Sequence, residues 1–224
     1  MSTYVITGAG SGIGAEIARQ LREQGHDLVA IVRSQRRAEA LAGPGVRTVI
    51  ADLEQPETIA AALAPLVDET FAGLVHSAGV AELGTVAETA AAVWSRTLSV
   101  NVVAVAEVTR VLLPALRRGR GDLVLLNSGA GLRASAGWAA YAASKHALKA
   151  LADALREEEP ELRVTSVYPG RTATAMQRAV REQEGGAFET SRYSDPGTVA
   201  GVVVSALLLP GDSRINDVTV RSKG

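Results

Sequence analysis

Short apolar runs alternate along the chain with longer stretches of helical periodicity. The strand-like runs are Tyr4–Thr7, Leu28–Val32, Arg47–Ala51, Gly73–His76, Asp122–Leu126, Arg163–Val167 and Asp217–Val220. Between them lie Ala-, Leu- and Glu-rich segments at Ile13–Gln24, Arg36–Ala42, Pro56–Val67, Val86–Leu116, Trp138–Glu158 and Pro196–Leu209. The apolar runs are continuous and lack in–out alternation, which is the pattern of strands covered on both faces. Strands that alternate with helices build right-handed βαβ units and a parallel sheet. The expected fold is therefore α/β: one Rossmann-like, doubly wound domain over residues 1–224, with seven parallel strands and helices on both faces. Segment 171–195 breaks the pattern. It holds Gly185-Gly186 and many polar residues, and reads as a helix plus a mobile loop of the kind that often borders a ligand site.

Composition narrows the chemistry. The chain has 224 residues, 47% of them hydrophobic and 21% charged, enough apolar material for a large core. A formal charge of −1 gives no basic surplus for nucleic acid, so no nucleic-acid partner is expected. The absence of cysteine excludes disulfides, thiolate metal sites and cysteine nucleophiles. No cluster suggests a metal site. No basic-then-apolar leader precedes Tyr4, and the apolar stretch Val199–Pro210 is too short to span a bilayer. A cytoplasmic protein without a membrane partner is expected.

The first strand runs into Thr7-Gly8-Ala9-Gly10-Ser11-Gly12-Ile13-Gly14 and then a helix. Glycines allow a tight turn and close approach of a pyrophosphate, and the following helix N-terminus offers free N–H groups to the phosphates. A Walker loop is excluded because no Gly-Lys pair occurs, and a nucleophile elbow because no Gly-x-Ser-x-Gly occurs. NAD-binding units end their second strand on a carboxylate for the ribose 2′-hydroxyl. Here that strand ends Ile31-Val32-Arg33-Ser34, with Arg36 and Arg37 close behind. A guanidinium suits a 2′-phosphate, so NADP(H) is favoured and NAD(H) stays open.

Tyr141 and Lys145 fall four apart on a helix and share a face. A phenol near pKa 10 needs help for acid–base work at neutral pH, and a neighbouring ammonium is expected to lower it. Ser128, thirteen residues upstream, closes a strand-like run and is placed to bind the same carbonyl oxygen. Each feature alone is common, but the chain has three lysines, and one stands at this spacing downstream of the glycine turn.

Together these pieces resemble the short-chain dehydrogenase/reductase family over essentially the whole chain. The matching residues are Thr7–Gly14, Asp52-Leu53, Ala78-Gly79, Asn101, Ser128, Tyr141-x-x-x-Lys145, and Pro169-Gly170 followed by Thr174. The resemblance implies a hydride transfer between NADP(H) and a carbonyl or secondary alcohol. Tyr141 would be the proton donor or acceptor and Ser128 the carbonyl polariser. Lys145 would tune Tyr141 and hold the nicotinamide ribose, and Asn101 would hold a water that relays protons to Lys145. Gly8, Ser11, Gly12, Ile13 and Gly14 would cradle the phosphates, and Arg33 would read the 2′-phosphate. Asp52 and Leu53 would contact the adenine, Ala78 and Gly79 its ribose, and Pro169, Gly170, Thr172 and Thr174 the nicotinamide. Family members commonly pair through the helices corresponding to Val86–Leu116 and Trp138–Glu158, which implies a homodimer or homotetramer.

Departures from the pattern are specific. His76-Ser77-Ala78-Gly79 stands where the family often has Asn-Asn-Ala-Gly, Ser11 where some NADP-dependent members carry a basic residue, and Thr172 where an apolar residue is usual. His76 reads as a satisfied strand-end histidine, His26 as a turn residue and His146 as a helix-surface residue. The substrate pocket is expected from Leu132–Trp138, Tyr168, Arg171 and the 175–195 loop. Arg171 reads as a surface or intersubunit contact before a carboxylate ligand, and Trp138 and Tyr193 either pack on substrate or close the fold. A non-catalytic NADP-binding regulator or an assembly protein are the competing readings. A small-molecule carbonyl or alcohol is the expected partner.

Overall fold

A computed structural model describes residues 1–223. Seven parallel strands form one sheet: β1 (Thr3–Thr7), β2 (Asp27–Val32), β3 (Val46–Ile50), β4 (Gly73–His76), β5 (Asp122–Leu126), β6 (Arg163–Pro169) and β7 (Asp217–Val220). Their order is β3-β2-β1-β4-β5-β6-β7, so the winding reverses between β1 and β4. The helices are α1 (Gly12–Glu23), α2 (Gln35–Leu41), α3 (Pro56–Leu63), α4 (Ala91–Leu98), α5 (Ala104–Gly119), α6 (Ala139–Glu158), α7 (Ala175–Gln183) and α8 (Pro196–Leu207). The expected seven-stranded, doubly wound sheet is the observed one.

Strand alternation splits the core into two layers. Val5, Val29, Leu74, Leu123 and Leu125 pack on one side with Ile59 and Leu63 of α3, Leu112 and Leu116 of α5, and Leu148 and Leu155 of α6. Ile6, Leu28, Val75 and Val124 face the other side, against Ile17 and Leu21 of α1 and Val199, Val203 and Leu207 of α8. The five inner strands are buried on both faces, whereas the edge strands keep exposed positions, Asp217 and Thr219 alternating with Val218 and Val220 on β7.

The expected helix Val86–Leu116 begins later and is interrupted. Thr85, Glu88 and Thr89 close a turn first: the Thr85 hydroxyl donates to Glu88 at 2.7 Å and the Thr89 hydroxyl to the Thr85 carbonyl at 2.7 Å. The helix starts at Ala91, and a π turn at Ser99–Val103 separates α4 from α5. The whole stretch Ala91–Gly119 is long and apolar enough to cross a membrane by length and composition, which the reading of Val199–Pro210 did not anticipate. In this fold half of its apolar window is buried, with Val108, Leu112 and Leu116 in the core.

Segment 171–195 is tied at two points. Thr172 and Ser194 pair as a short bridge at its neck. At the far end of α7, the Gln183 side chain accepts from the Leu83 N–H at 2.8 Å. The expected helix is α7, started by Thr174, whose hydroxyl accepts from the Gln177 N–H. The rest is held by this neck and a 3₁₀ turn at Thr190–Arg192.

Candidate active site

All seven strands point their C-terminal ends at one cleft of about 910 Å³. In doubly wound sheets the ligand crevice opens where the winding reverses. Here Thr7 braces that point: its hydroxyl oxygen, at the end of β1, accepts from the Ser77 and Ala78 N–H groups, each at 3.2 Å, beyond the end of β4.

The glycine turn is built by exclusion of side chains. Gly8 has φ +73°, and a Cβ there would lie 2.8 Å from the Ala78 nitrogen. Gly12 has φ +53°, with the Thr174 methyl 3.1 Å from where a Cβ would stand. Gly8, Ser11, Gly12 and Ile13 all line the cleft. Gly14 does not. A Cβ on it would meet the Gly8 carbonyl oxygen at 2.3 Å, so its part in the turn is to let α1 pack against Gly8.

At the β2 and β3 ends, Arg33, Asp52 and Leu53 line the cleft. So does Arg37, whose guanidinium donates to the Gly10 carbonyl at 3.3 Å; Arg36 is not among the lining residues. Both Asp52 carboxylate oxygens already accept, one from the Glu54 N–H at 3.0 Å and one from the Gln55 amide at 3.3 Å. Ala78, Gly79, Pro169, Gly170, Thr172 and Thr174 complete the expected wall.

At the other end, Ser128, Tyr141 and Lys145 converge on the cleft. Asn127 locks them together. Its amide N–H donates to the Lys145 carbonyl at 3.1 Å, and its amide oxygen accepts from the Ser128 N–H at 2.8 Å. Gly131 is required there, because a Cβ would meet Asn127 Oδ1 at 2.3 Å and the Lys145 carbonyl oxygen at 2.7 Å. Lys145 Nζ is buried, donates to the Leu126 carbonyl at 2.8 Å and sits 5.8 Å from the Tyr141 ring centre. Burial lowers the Lys145 pKa to about 8. Burial also raises that of Tyr141, opposed by a hydrogen bond with Ser128. The expected lowering of the phenol by Lys145 is thus overturned by desolvation.

Asn101 sits in the π turn, buried and off the cleft wall. Its amide oxygen accepts from the Val80 N–H at 2.9 Å, and its amide nitrogen donates to the Val80 carbonyl at 2.9 Å and to Ser144 Oγ at 3.0 Å. Those bonds engage the side-chain amide at both ends. Asn101 thus braces the β4 end against α6. Lys145 remains close: a Cβ on Gly79 would lie 3.2 Å from Asn101 Oδ1 and 3.9 Å from Lys145 Nζ.

Tyr168 is corrected too. Strand alternation turns it to the face of Val164, away from the cleft, where it is 1% exposed. Tyr193 also misses the cleft and packs on Phe188, ring centres 5.3 Å apart. Leu132 is exposed off the wall, whereas Arg133, Ser135 and Trp138 line it. The histidines stand apart: His26 packs edge-on against Tyr4, His146 is exposed on α6, and His76 is buried with Nε2 2.9 Å from Thr109 Oγ1. Burial lowers the His76 pKa to about 3. No metal-binding cluster of His, Asp and Glu occurs among the described residues.

The short chain dehydrogenase family model matches residues 2–185. The chain belongs to that family. This short-chain dehydrogenase is 34% identical over 188 residues to the uncharacterized oxidoreductase YbbO of Escherichia coli K12, covering 81% of this chain and 70% of that protein. It is 30% identical over 226 residues to the uncharacterized oxidoreductase SERP2049 of Staphylococcus epidermidis, covering 97% and 95%. Among solved structures it resembles the alcohol dehydrogenase of the archaeon Thermococcus sibiricus complexed with 5-hydroxy-NADP, with a TM-score of 0.90 and 25% identity over 100% of this chain and 97% of that one. The short-chain dehydrogenase is thus an oxidoreductase of a family that binds NAD(P).

The cleft fits such a dinucleotide by its own chemistry. Gly8 and Gly12 hold the positive-φ backbone of a turn that lines the cleft at the start of α1, where backbone N–H groups suit a diphosphate. Gln177 of α7 lines the same wall, is 8% exposed, and its side-chain nitrogen is buried without a partner. A buried donor with no acceptor is uncommon in a folded protein and points to a ligand. Nothing in its sequence context singled out Gln177, Asn127 or Gly131.

Proposed function

We propose that this short-chain dehydrogenase reduces a ketone or aldehyde with NADPH, and oxidises the corresponding secondary alcohol in reverse. The observation that carries this is the convergence of Ser128, Tyr141 and Lys145 at the end of a glycine-lined cleft. When held along the cleft, a nicotinamide would supply the hydride for the carbonyl carbon. The Ser128 hydroxyl donates to the carbonyl oxygen and fixes it beside Tyr141. As charge develops on that oxygen, the Tyr141 phenol gives up its proton, leaving a C–H and an O–H where the C=O stood. With its pKa raised by burial, Tyr141 holds its proton at neutral pH and needs positive charge nearby to give it up. Lys145 brings positive charge to the phenolate left behind and a donor for the ribose hydroxyls.

NADP over NAD rests on the end of β2. No carboxylate stands there, and both Arg33 and Arg37 face the cleft to pair with a 2′-phosphate. The complex of the archaeal relative with 5-hydroxy-NADP supports the same reading. Fluorescence titration of the purified protein with NADPH and NADH at equal salt tests it. Tighter NADPH binding by tenfold or more, about 1.4 kcal/mol, is expected. Equal or tighter NADH binding refutes the cofactor assignment, and failure of both to bind refutes the enzyme reading. A Tyr141→Phe variant is expected to keep NADPH affinity and lose turnover.

A further inference from the structure

The substrate end of the cleft carries charge of one sign. Arg133, Arg171, Arg192 and Arg221 line the cleft with Lys145, and the carboxylates that reach it, Asp52 and Glu54, both follow β3 at the far end. The chain as a whole is nearly neutral, at −1, so this segregation comes from the fold.

Local pairing removes only part of that charge. Arg192 is bound to Glu189 at 2.9 Å. Arg171 holds Glu184 through two bonds of 2.8 and 2.6 Å, but Glu184 is shared with Arg181 at 2.5 Å, so the trio keeps one positive charge. Arg133 has no salt bridge among the described residues and lies five positions past Ser128, on the turn that carries it.

Two ring contacts link Arg171 to the reacting centre. Trp138 meets Tyr141 edge to face, centroids 5.7 Å apart, and the Arg171 guanidinium carbon stands 5.8 Å from the Trp138 ring centre. Outward from the proton donor the cleft thus presents a phenol, an indole and a guanidinium. An apolar spacer packs on the indole, and a planar anion at its end meets guanidinium groups that donate in matching pairs.

We propose that the substrate of this enzyme is a carbonyl compound bearing a carboxylate about one aromatic ring away from the reacting carbon, and that Arg171 and Arg133 bind that carboxylate. The proposal deepens the reductase reading above and rests on its placement of the reacting carbonyl at Tyr141.

The test compares 4-carboxybenzaldehyde with its methyl ester, which differ in charge and little in shape. Binding of each to the NADP⁺-saturated protein is measured by calorimetry, and their reduction by NADPH is followed at 340 nm. The acid is expected to bind at least tenfold tighter than the ester and to show the higher kcat/KM. Its advantage is expected to shrink on adding salt, as exposed charge attraction does. Arg133→Gln and Arg171→Gln should each cut the acid-over-ester preference severalfold, and Arg133→Glu should lower it further. An ester that binds as tightly as the acid, an acid that does not bind at millimolar concentration, or a preference that survives loss of both arginines overturns the proposal. Failure of the underlying reading looks different: a protein that takes up the acid but no dinucleotide keeps the anion site and loses the reductase assignment.

Discussion

Replacing Lys145 with methionine should make the protein more stable and inactive as an oxidoreductase. The lysine is 5% exposed, and burial holds its pKa at about 8 against an ordinary 10.5. At about 1.4 kcal/mol per unit, keeping the ammonium charged inside the fold costs roughly 3 kcal/mol at pH 7. Methionine fills nearly the same volume without charge. The loss of the 2.8 Å bond to the Leu126 carbonyl returns about 1 kcal/mol of that gain. A net stabilisation of about 1–2 kcal/mol remains, or roughly 2–8 °C in Tm for a chain of this size. Its pH dependence has a fixed sign. At pH 7 both folded and unfolded chains hold the proton, so the folded state bears the full cost. Above about pH 8 the folded state sheds the proton while the unfolded chain keeps it to about 10.5, so wild-type stability rises with pH and the gap to Lys145→Met closes. Urea unfolding of both proteins at pH 7 and pH 10 measures this, and the difference between them cancels other titrating groups. The same variant should bind NADPH more weakly and show no turnover. A variant less stable than wild type at pH 7, or a gap that widens with pH, refutes the reasoning.

Other predictions follow from the same geometry. His76→Asn should flatten acid denaturation: the folded-state pKa of about 3 lies below the ordinary 6.5, so stability is lost as pH falls from 6.5 towards 3, by up to about 5 kcal/mol, readable in urea midpoints across that range. Gly131→Ala should cost more than about 2 kcal/mol, because the added methyl has rigid backbone and the Asn127 amide against it; a midpoint within 0.5 kcal/mol of wild type would show that the turn can move. Asn101→Ala should cost about 2–4 kcal/mol by removing the amide from both the Val80 N–H and the Val80 carbonyl, while Ser144 keeps its bond to the Tyr141 carbonyl; Asn101→Asp, which sets a buried carboxylate against the Val80 carbonyl, should cost no less. Gln177→Leu should leave stability within about 1 kcal/mol of wild type and weaken NADPH about tenfold, since the amide has no protein partner to lose; unchanged NADPH affinity would remove it from the dinucleotide wall.

The sheet and the reacting trio were legible in the sequence because their signals are local. A strand buried on both faces writes itself as an apolar run, and the bounds of β4 and β5 match their runs to the residue; the half-exposed edge strand β7 matches through its alternation of Val218 and Val220 with polar residues. Tyr141 and Lys145 share a helix face at fixed spacing, and the glycine turn needs only its own backbone to be recognised. The errors arose where side-chain direction depends on distant partners. Tyr168 and Pro169 are neighbours in one strand, and the pleat sends one to the core and the other to the cleft. Arg36 and Arg37 are equally basic, yet the helix turns the second alone over Gly10. Asn101 carries a residue type expected at the site, but the π turn that aims it at Val80 has no local signature. The substrate end was least legible for the same reason: Arg133, Arg171, Arg192 and Arg221 come from four separate loops, and each in isolation is an ordinary surface arginine. Only the convergence of β5, β6, β7 and the 171–195 segment makes their charges add, and that addition is what the proposed anion preference rests on and what salt and a methyl ester probe.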